Sequence, residues 1–138
     1  MNTKYQRYID YIVSDLQPPY YENMREMYGL KNDEYELVLS KVFNQPVTIK
    51  GISVYNTDGK KIYYESSNGF WTKREYDTND NQIYVEDSTG FWYKEEYDSN
   101  GNEIYYEDSN GHWVKSEYDE QGKIIYQEDS DGHIDDYR

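Results

Sequence analysis

The sequence contains no cysteine, so neither a disulfide framework nor a thiolate metal site is available to it. No stretch approaches the apolar length of a membrane span. Residues 1–16 lack the basic region, apolar run and small-residue cleavage site of an export signal, so a cytoplasmic protein is expected. No glycine loop followed by Lys-Ser/Thr is present to cradle a phosphate. Leu, Ile and Val are too few for a thick two-layer core. Basic residues are also scarce: 14 Lys and Arg stand against 28 Asp and Glu, a net charge of −14. Such a balance repels nucleic acid and anionic membranes and attracts basic protein surfaces.

Tyrosine is abundant, with 19 residues, and it follows a pattern. A 21-residue stretch is written four times, over 55–75, 76–96, 97–117 and 118–138, without gaps. The clearest copy, Tyr97 to Glu117, reads YDSNGNEIYYEDSNGHWVKSE. Repeats of this length imply stacked supersecondary units. Residues 1–54 hold six Lys and Arg against seven Asp and Glu; residues 55–138 hold eight against 21. The negative charge therefore belongs to the repeats. Disordered acidic segments are poor in aromatic and β-branched residues, and these copies are rich in Tyr, Trp and Ile, so they are expected to fold.

Each copy carries two β-prone runs and two turn signals. In the third copy the turns are Asp98-Ser99-Asn100-Gly101 and Ser109-Asn110-Gly111, where Gly and Asn tolerate positive φ and Asp bonds its own backbone. An antiparallel meander of eight strands follows, with one or two more from Val47 to Tyr55. The odd period requires one odd and one even loop per copy if equivalent side chains are to share a face. The odd loop is placed at Gly69, Gly90, Gly111 and Gly132. One face then carries Tyr84, Glu86, Trp92, Lys94 and Glu96 and their equivalents from Tyr63 onward; the other carries Ile83, Val85, Phe91, Tyr93 and Tyr97. The last copy degrades, with Ile134, Asp135 and Asp136 in place of the Trp strand.

Residues 1–46 read as a helical cap ahead of a sheet domain over 47–138, an α+β protein. Thr3 and Gln6 resemble a capping box, and Tyr5, Tyr8, Ile9, Ile12, Val13 and Leu16 make one apolar stripe. Pro18 and Pro19 end that helix. A second runs from Tyr20 to Tyr28 with Met24, Met27 and Tyr28 inward and Gly29 as terminator. A third starts near Asp33, with Glu36 three residues on, and stops before Pro46. The cap is expected to cover the sheet's first edge; its alternative role is docking or dimerisation.

The spacing Tyr97-Asp98-x-x-Gly101, looser at Tyr76-Asp77 and Tyr118-Asp119, resembles the YD repeat of bacterial polymorphic toxins and teneurin-type proteins. That resemblance implies β-hairpins over the repeats and carries over no catalytic residue.

No catalytic constellation is expected, and no cofactor or metal site. His112 and His133 occupy a position where Phe70 and Phe91 stand. The recurring carboxylates have Lys73, Lys94 and Lys115 available for pairing. Asp98 to Asn102 lacks the ligand spacing and bidentate Glu of a calcium loop. The remaining feature is a surface of Trp71, Glu86, Asp87, Trp92, Glu95, Glu96, Glu107, Asp108 and Trp113, aromatic anchors amid acids. Eight strands at about 4.8 Å extend roughly 40 Å, near the length of about 12 base pairs.

By size and charge the chain is similar to phage inhibitors of host defence, the anti-CRISPR and DNA-mimic proteins. That similarity implies a non-enzymatic, cytoplasmic protein of a bacterial host, binding a basic partner such as a nucleic-acid-binding protein or nuclease. Neither nucleic acid nor membrane is an expected direct partner; a homodimer through the cap or a sheet edge is the other association open to it. The alternative is a carbohydrate- or cell-surface-binding module using the Trp71, Trp92 and Trp113 ladder.

Overall fold

A computed structural model describes residues 3–138, with side chains from residue 7 onward. Three helices come first: α1 (Thr3–Asp15), α2 (Tyr20–Glu26) and α3 (Asn32–Val42). Ten strands follow: β1 (Thr48–Lys50), β2 (Ser53–Tyr55), β3 (Lys61–Glu65), β4 (Trp71–Tyr76), β5 (Gln82–Asp87), β6 (Trp92–Tyr97), β7 (Glu103–Asp108), β8 (Trp113–Tyr118), β9 (Ile124–Asp129) and β10 (Ile134–Asp136). They form one open antiparallel meander whose spatial order is the chain order. The chain divides into two compact units, one ending at Thr72 and the other spanning Lys73–Arg138. No helix among the described residues is long and apolar enough to cross a membrane.

In the first unit the α1 stripe buries Ile9, Ile12 and Leu16, while Tyr8 is 44% exposed. The Thr3–Gln6 capping box and the Tyr5 side chain lie outside the described residues. Pro18 and Pro19, joined by a cis peptide, separate α1 from α2. Met24 is fully buried, but α2 ends at Glu26, so Met27 turns outward and is 66% exposed, against expectation. Gly29 terminates the helix as expected, at φ +63°, and lets Leu30 N–H reach Met24 O at 2.8 Å. The start of α3 differs from the Asp33–Glu36 pairing. Glu34 Oε1 accepts from Lys31 N–H at 3.1 Å, and Lys31 O accepts from Glu34 N–H at 2.9 Å. A Glu three residues into a helix can satisfy the capping amide even when the cap residue has no acceptor of its own.

The helices cover a sheet face rather than its edge. Tyr63, on β3, is wholly buried, with the rings of Tyr20, Tyr21 and Phe43 at 4.9, 6.3 and 6.0 Å. β1 forms the edge, and its Thr48 and Lys50 are exposed. A helix with an apolar stripe needs an apolar surface to bury it, and the face carrying Tyr63 supplies that surface.

In the second unit both kinds of turn have the same build. Asp98 N–H donates to Asn102 O at 2.9 Å and Gly101 N–H to Asp98 O at 3.0 Å. Asp108 N–H donates to His112 O at 2.9 Å and Gly111 N–H to Asp108 O at 3.1 Å. These are three-residue loops closed by a residue at positive φ, so the expected even loop is absent from this hairpin. Parity is restored by a β-bulge. Glu96 faces Tyr105 while Tyr97 faces Glu103, leaving Ile104 as the extra residue; Ile125 is extra in the same way between the partners of Glu117 and Tyr118. A bulge shifts the alternation by one residue. Tyr84, Glu86, Trp92, Lys94 and Glu96 therefore share one face and Val85 and Tyr93 the other, as expected. Ile83, however, stands at the position of the bulged Ile104, which simple alternation does not place. Tyr84 opposes Lys94, Glu86 opposes Trp92, and Val85 opposes Tyr93 on the other side.

Candidate functional site

The Trp92 face of the second unit is built from two short patterns. On β5, β7 and β9 a tyrosine precedes a glutamate by two residues, and residues two apart on a strand share a face. The Tyr84 hydroxyl donates to Glu86 at 3.5 Å and that of Tyr126 to Glu128 at 3.0 Å. Tyr105 stands in the same relation to Glu107, whose charge acts on its hydroxyl. On β6 and β8 a tryptophan precedes a lysine by two. The Lys94 ammonium lies 5.3 Å from the Trp92 ring centre and Lys115 lies 5.1 Å from that of Trp113. Register places Glu86 opposite Trp92, Glu107 opposite both Lys94 and Trp113, and Glu96 opposite Tyr105.

The expected surface therefore divides. Glu86, Trp92, Glu96, Glu107 and Trp113 share one face of the second unit. Glu95 and Asp108 pair with Tyr106 and Tyr93 on the other face, and strand alternation puts Asp87 there too. Trp71 belongs to the first unit, stacked on Tyr63 with ring centres 6.5 Å apart. Asp108 is only 7% exposed. It accepts from the Tyr106 hydroxyl and from the Asn110 amide, both at 2.9 Å, and from the His112 amide at 3.3 Å. It holds a turn together rather than offering a charge to a partner.

Burial and hydrogen bonding together shift these groups. Burial raises the Tyr84 and Tyr105 hydroxyls, reinforced by the charge of Glu86 and Glu107. Burial and the bond to Asp108 push Tyr106 up to about 12. The bond to Glu95 raises Tyr97. The backbone amide of Asn102 holds Asp98 below the ordinary carboxylate range. For Asp108 burial acts upward, but the bonds from Tyr106, Asn110 and His112 outweigh it and the carboxyl is lowered. The raised phenols stay neutral donors, so the Tyr84 and Tyr126 hydroxyls orient the carboxylates of Glu86 and Glu128.

Sequence reasoning missed the positioning role of Tyr84 and Tyr126; the signal was their two-residue spacing from an acid. It also missed Ser109 and Ser130. Their amides donate to Trp92 O and Trp113 O, and their hydroxyls accept from the Trp92 and Trp113 amides at 3.2 Å, tying each turn to the preceding hairpin. Among the described residues one group brings three metal-ligating atoms within 4.8 Å of one another: Asp129, Asp131 and His133 in the last turn. Asp129 Oδ1 already accepts from the Asp131 and His133 amides. Comparison with protein-family models and with curated proteins finds no match.

Proposed function

We propose that this chain is a non-enzymatic interaction protein, an acidic inhibitor of the anti-defence or DNA-mimic type that occupies the basic nucleic-acid-binding surface of a partner protein. We read its sheet as four YD-repeat-like copies of one 21-residue hairpin. One observation carries the function. Residues 73–138 hold 19 Asp and Glu against six Lys and Arg, and Glu86 and Glu128 each accept from a tyrosine hydroxyl two residues before them. Fixed carboxylates lose little freedom on binding and so favour a basic partner at low entropic cost. The site presents one oriented motif several times, a pattern suited to a repetitive ligand surface and not to a unique reacting centre.

The carbohydrate alternative has less support. Sugar stacking needs open tryptophan faces, and Lys94 and Lys115 lie over those of Trp92 and Trp113.

The test is capture of partners from a bacterial lysate at low and high salt, with release by duplex DNA. The wild type should retain a basic nucleic-acid-binding protein at low salt and lose it to DNA. The exposed reversals Glu96→Lys and Glu117→Lys should weaken retention. Retention that ignores salt, DNA and these reversals would sink the reading.

A further inference from the structure

The first unit contains an occupied copy of the motif that the second unit repeats. There, Tyr63, Glu65 and Trp71 form a seat, and the start of α2 sits in it. Tyr20 N–H donates to the Tyr63 hydroxyl oxygen at 3.0 Å. Glu65 takes the next two amides, from Tyr21 at 2.9 Å and Glu22 at 3.0 Å, one on each carboxylate oxygen. The Tyr63 hydroxyl donates to Glu65 at 2.6 Å, and the Tyr20 ring packs 4.9 Å from that of Tyr63. The seat is closed, with Tyr63 at 0% and Glu65 at 5% exposure.

The same three residue types recur 21 and 42 positions later, as Tyr84, Glu86, Trp92 and as Tyr105, Glu107, Trp113. The Tyr84 hydroxyl donates to Glu86 at 3.5 Å, Tyr105 lies close enough to Glu107 to feel its charge, and each Glu lies directly opposite its Trp. All six side chains are part-exposed. The second unit consists of strands and turns, so it has no helix of its own to fill these seats.

We propose that the two seats of the second unit receive the first turns of helices from a basic partner protein. The occupied seat defines the ligand chemistry: consecutive backbone amides for the carboxylate, and an aromatic side chain for the tyrosine ring. Free consecutive amides occur where a helix begins, and that end of a helix favours an anion. The excess of acids in residues 73–138 selects a basic partner. Equivalent seats lie two strands apart, about 10 Å, which matches the spacing of about 8–10 Å between packed helices. Neighbouring helices of one partner therefore fit neighbouring seats. This inference rests on the basic-partner reading and adds the form of the contact.

The probe is a peptide of residues 17–30 of this chain carrying Glu22→Lys and Glu26→Lys, titrated into the full-length protein and followed by the three tryptophan indole N–H signals in NMR. The Trp92 and Trp113 signals should shift saturably while that of Trp71, whose seat is filled, stays in place. A scrambled peptide of equal charge should bind at least about tenfold more weakly. The double variant Glu86→Gln, Glu107→Gln should weaken the probe about tenfold, the loss expected for a charge-assisted hydrogen bond. Removing two charges elsewhere, by Glu120→Gln and Asp131→Asn, should change it less than about twofold. Equal binding of probe and scrambled peptide overturns the helix seat but leaves the basic-partner reading standing. Binding of neither at low salt overturns both. Concentration-dependent shifts of Trp92 and Trp113 in the protein alone would identify a second copy as the occupant and overturn the foreign-helix proposal.

Discussion

The two units make antiparallel strands from closely similar sequence and stabilise them in different ways. Among the described residues, every buried apolar side chain lies in the first unit, from Ile9 to Tyr63. In the second unit the buried residues are Asp108 and Ser116; its aromatic and aliphatic side chains are half-covered on both faces, apart from the exposed Ile124, Ile134 and Tyr137. Burying a large apolar side chain contributes about 1.5–3 kcal/mol; a cross-strand pair contributes about 0.2–1 kcal/mol. The first unit therefore concentrates its stability in a few positions. The second spreads it over pairs, bulges and capped turns, as expected of an array whose neighbours support one another. The lesson is that an acidic, aromatic hairpin needs no second layer when its turns are closed by their own side chains and its strands pair aromatic residues with acids and lysines.

The largest test of this contrast sets equivalent tyrosines against each other. Tyr63→Ala removes a ring buried among Tyr20, Phe43 and Trp71 and frees the Tyr20 amide and Glu65. It should cost about 3–5 kcal/mol. Tyr105→Ala, 42 positions later in a similar stretch of sequence, leaves no closed cavity and should cost about 1 kcal/mol. Urea unfolding of both variants measures the difference, and equal losses would mean that the second unit has a core after all.

A smaller effect separates the matching glutamates. Glu65→Gln keeps the shape but loses the charge that holds the Tyr21 and Glu22 amides, so the first unit should lose about 1.5–3 kcal/mol. Glu107→Gln, at a part-exposed position opposite Lys94 and Trp113, should alter stability by less than about 0.5 kcal/mol. Hydrogen exchange of the Tyr21 and Glu22 amides reports the first change directly.

Acid should loosen the second unit's turns and spare a turn of the first. Asp98 accepts from the Asn100 and Asn102 amides at 2.9 Å, and its carboxyl is lowered chiefly by the Asn102 amide. In the first unit Asn56 fills this role, accepting from Asp58 and Lys60 at 3.0 and 2.9 Å without an ionisable group. A depressed folded pKa gives stability that is present above the unfolded value, about 3.9, and is lost as pH falls through the folded value. Amide exchange at Asn102 should therefore accelerate below about pH 3.9 while that at Lys60 does not. At the alkaline end the sign reverses. Tyr106, pushed up to about 12, adds stability below the unfolded value of about 10 that is lost as pH rises towards 12. Phenolate absorbance should lag accordingly.

Much of this architecture was legible in the sequence, and what was not has physical causes. Helices announced themselves by apolar spacing, prolines and Gly29; strands by alternation between Asp-x-x-Gly turns. The faces were legible because side-chain period fixes them once parity is set. How parity is set was not, since an even loop and an odd loop with a bulge at Ile104 give the same alternation everywhere but at the bulged residue. The seat of α2 was hidden for another reason. Tyr63 and Glu65 read the same as Tyr84 and Glu86, and only the folded chain distinguishes the covered pair from the part-exposed ones. The division of the nine-residue surface between faces followed from the alternation itself, whereas the burial of Asp108 needed the turn geometry.

The finest test concerns one residue in a turn. Asp80 sits at φ +64°, where the equivalent positions carry Gly59, Gly101 and Gly122 at +79°, +83° and +83°. Its loop keeps the same bonds, Asp77 N–H to Asn81 O at 2.9 Å and Asp80 N–H to Asp77 O at 3.1 Å. Geometry is therefore maintained against the preference of an L-residue, which Asp resists less than most. Glycine relieves that strain but loses more entropy on folding, so Asp80→Gly should gain only about 0.5 kcal/mol. The reciprocal Gly101→Asp meets no atom within 4 Å of its new Cβ, so its loss, about 1 kcal/mol, measures backbone strain and added charge alone. Asp80→Asn and Gly101→Asn separate the two. If the Asn and Asp variants match, turn conformation sets local stability in the second unit; if Asn recovers most of the loss, repulsion among its acids does.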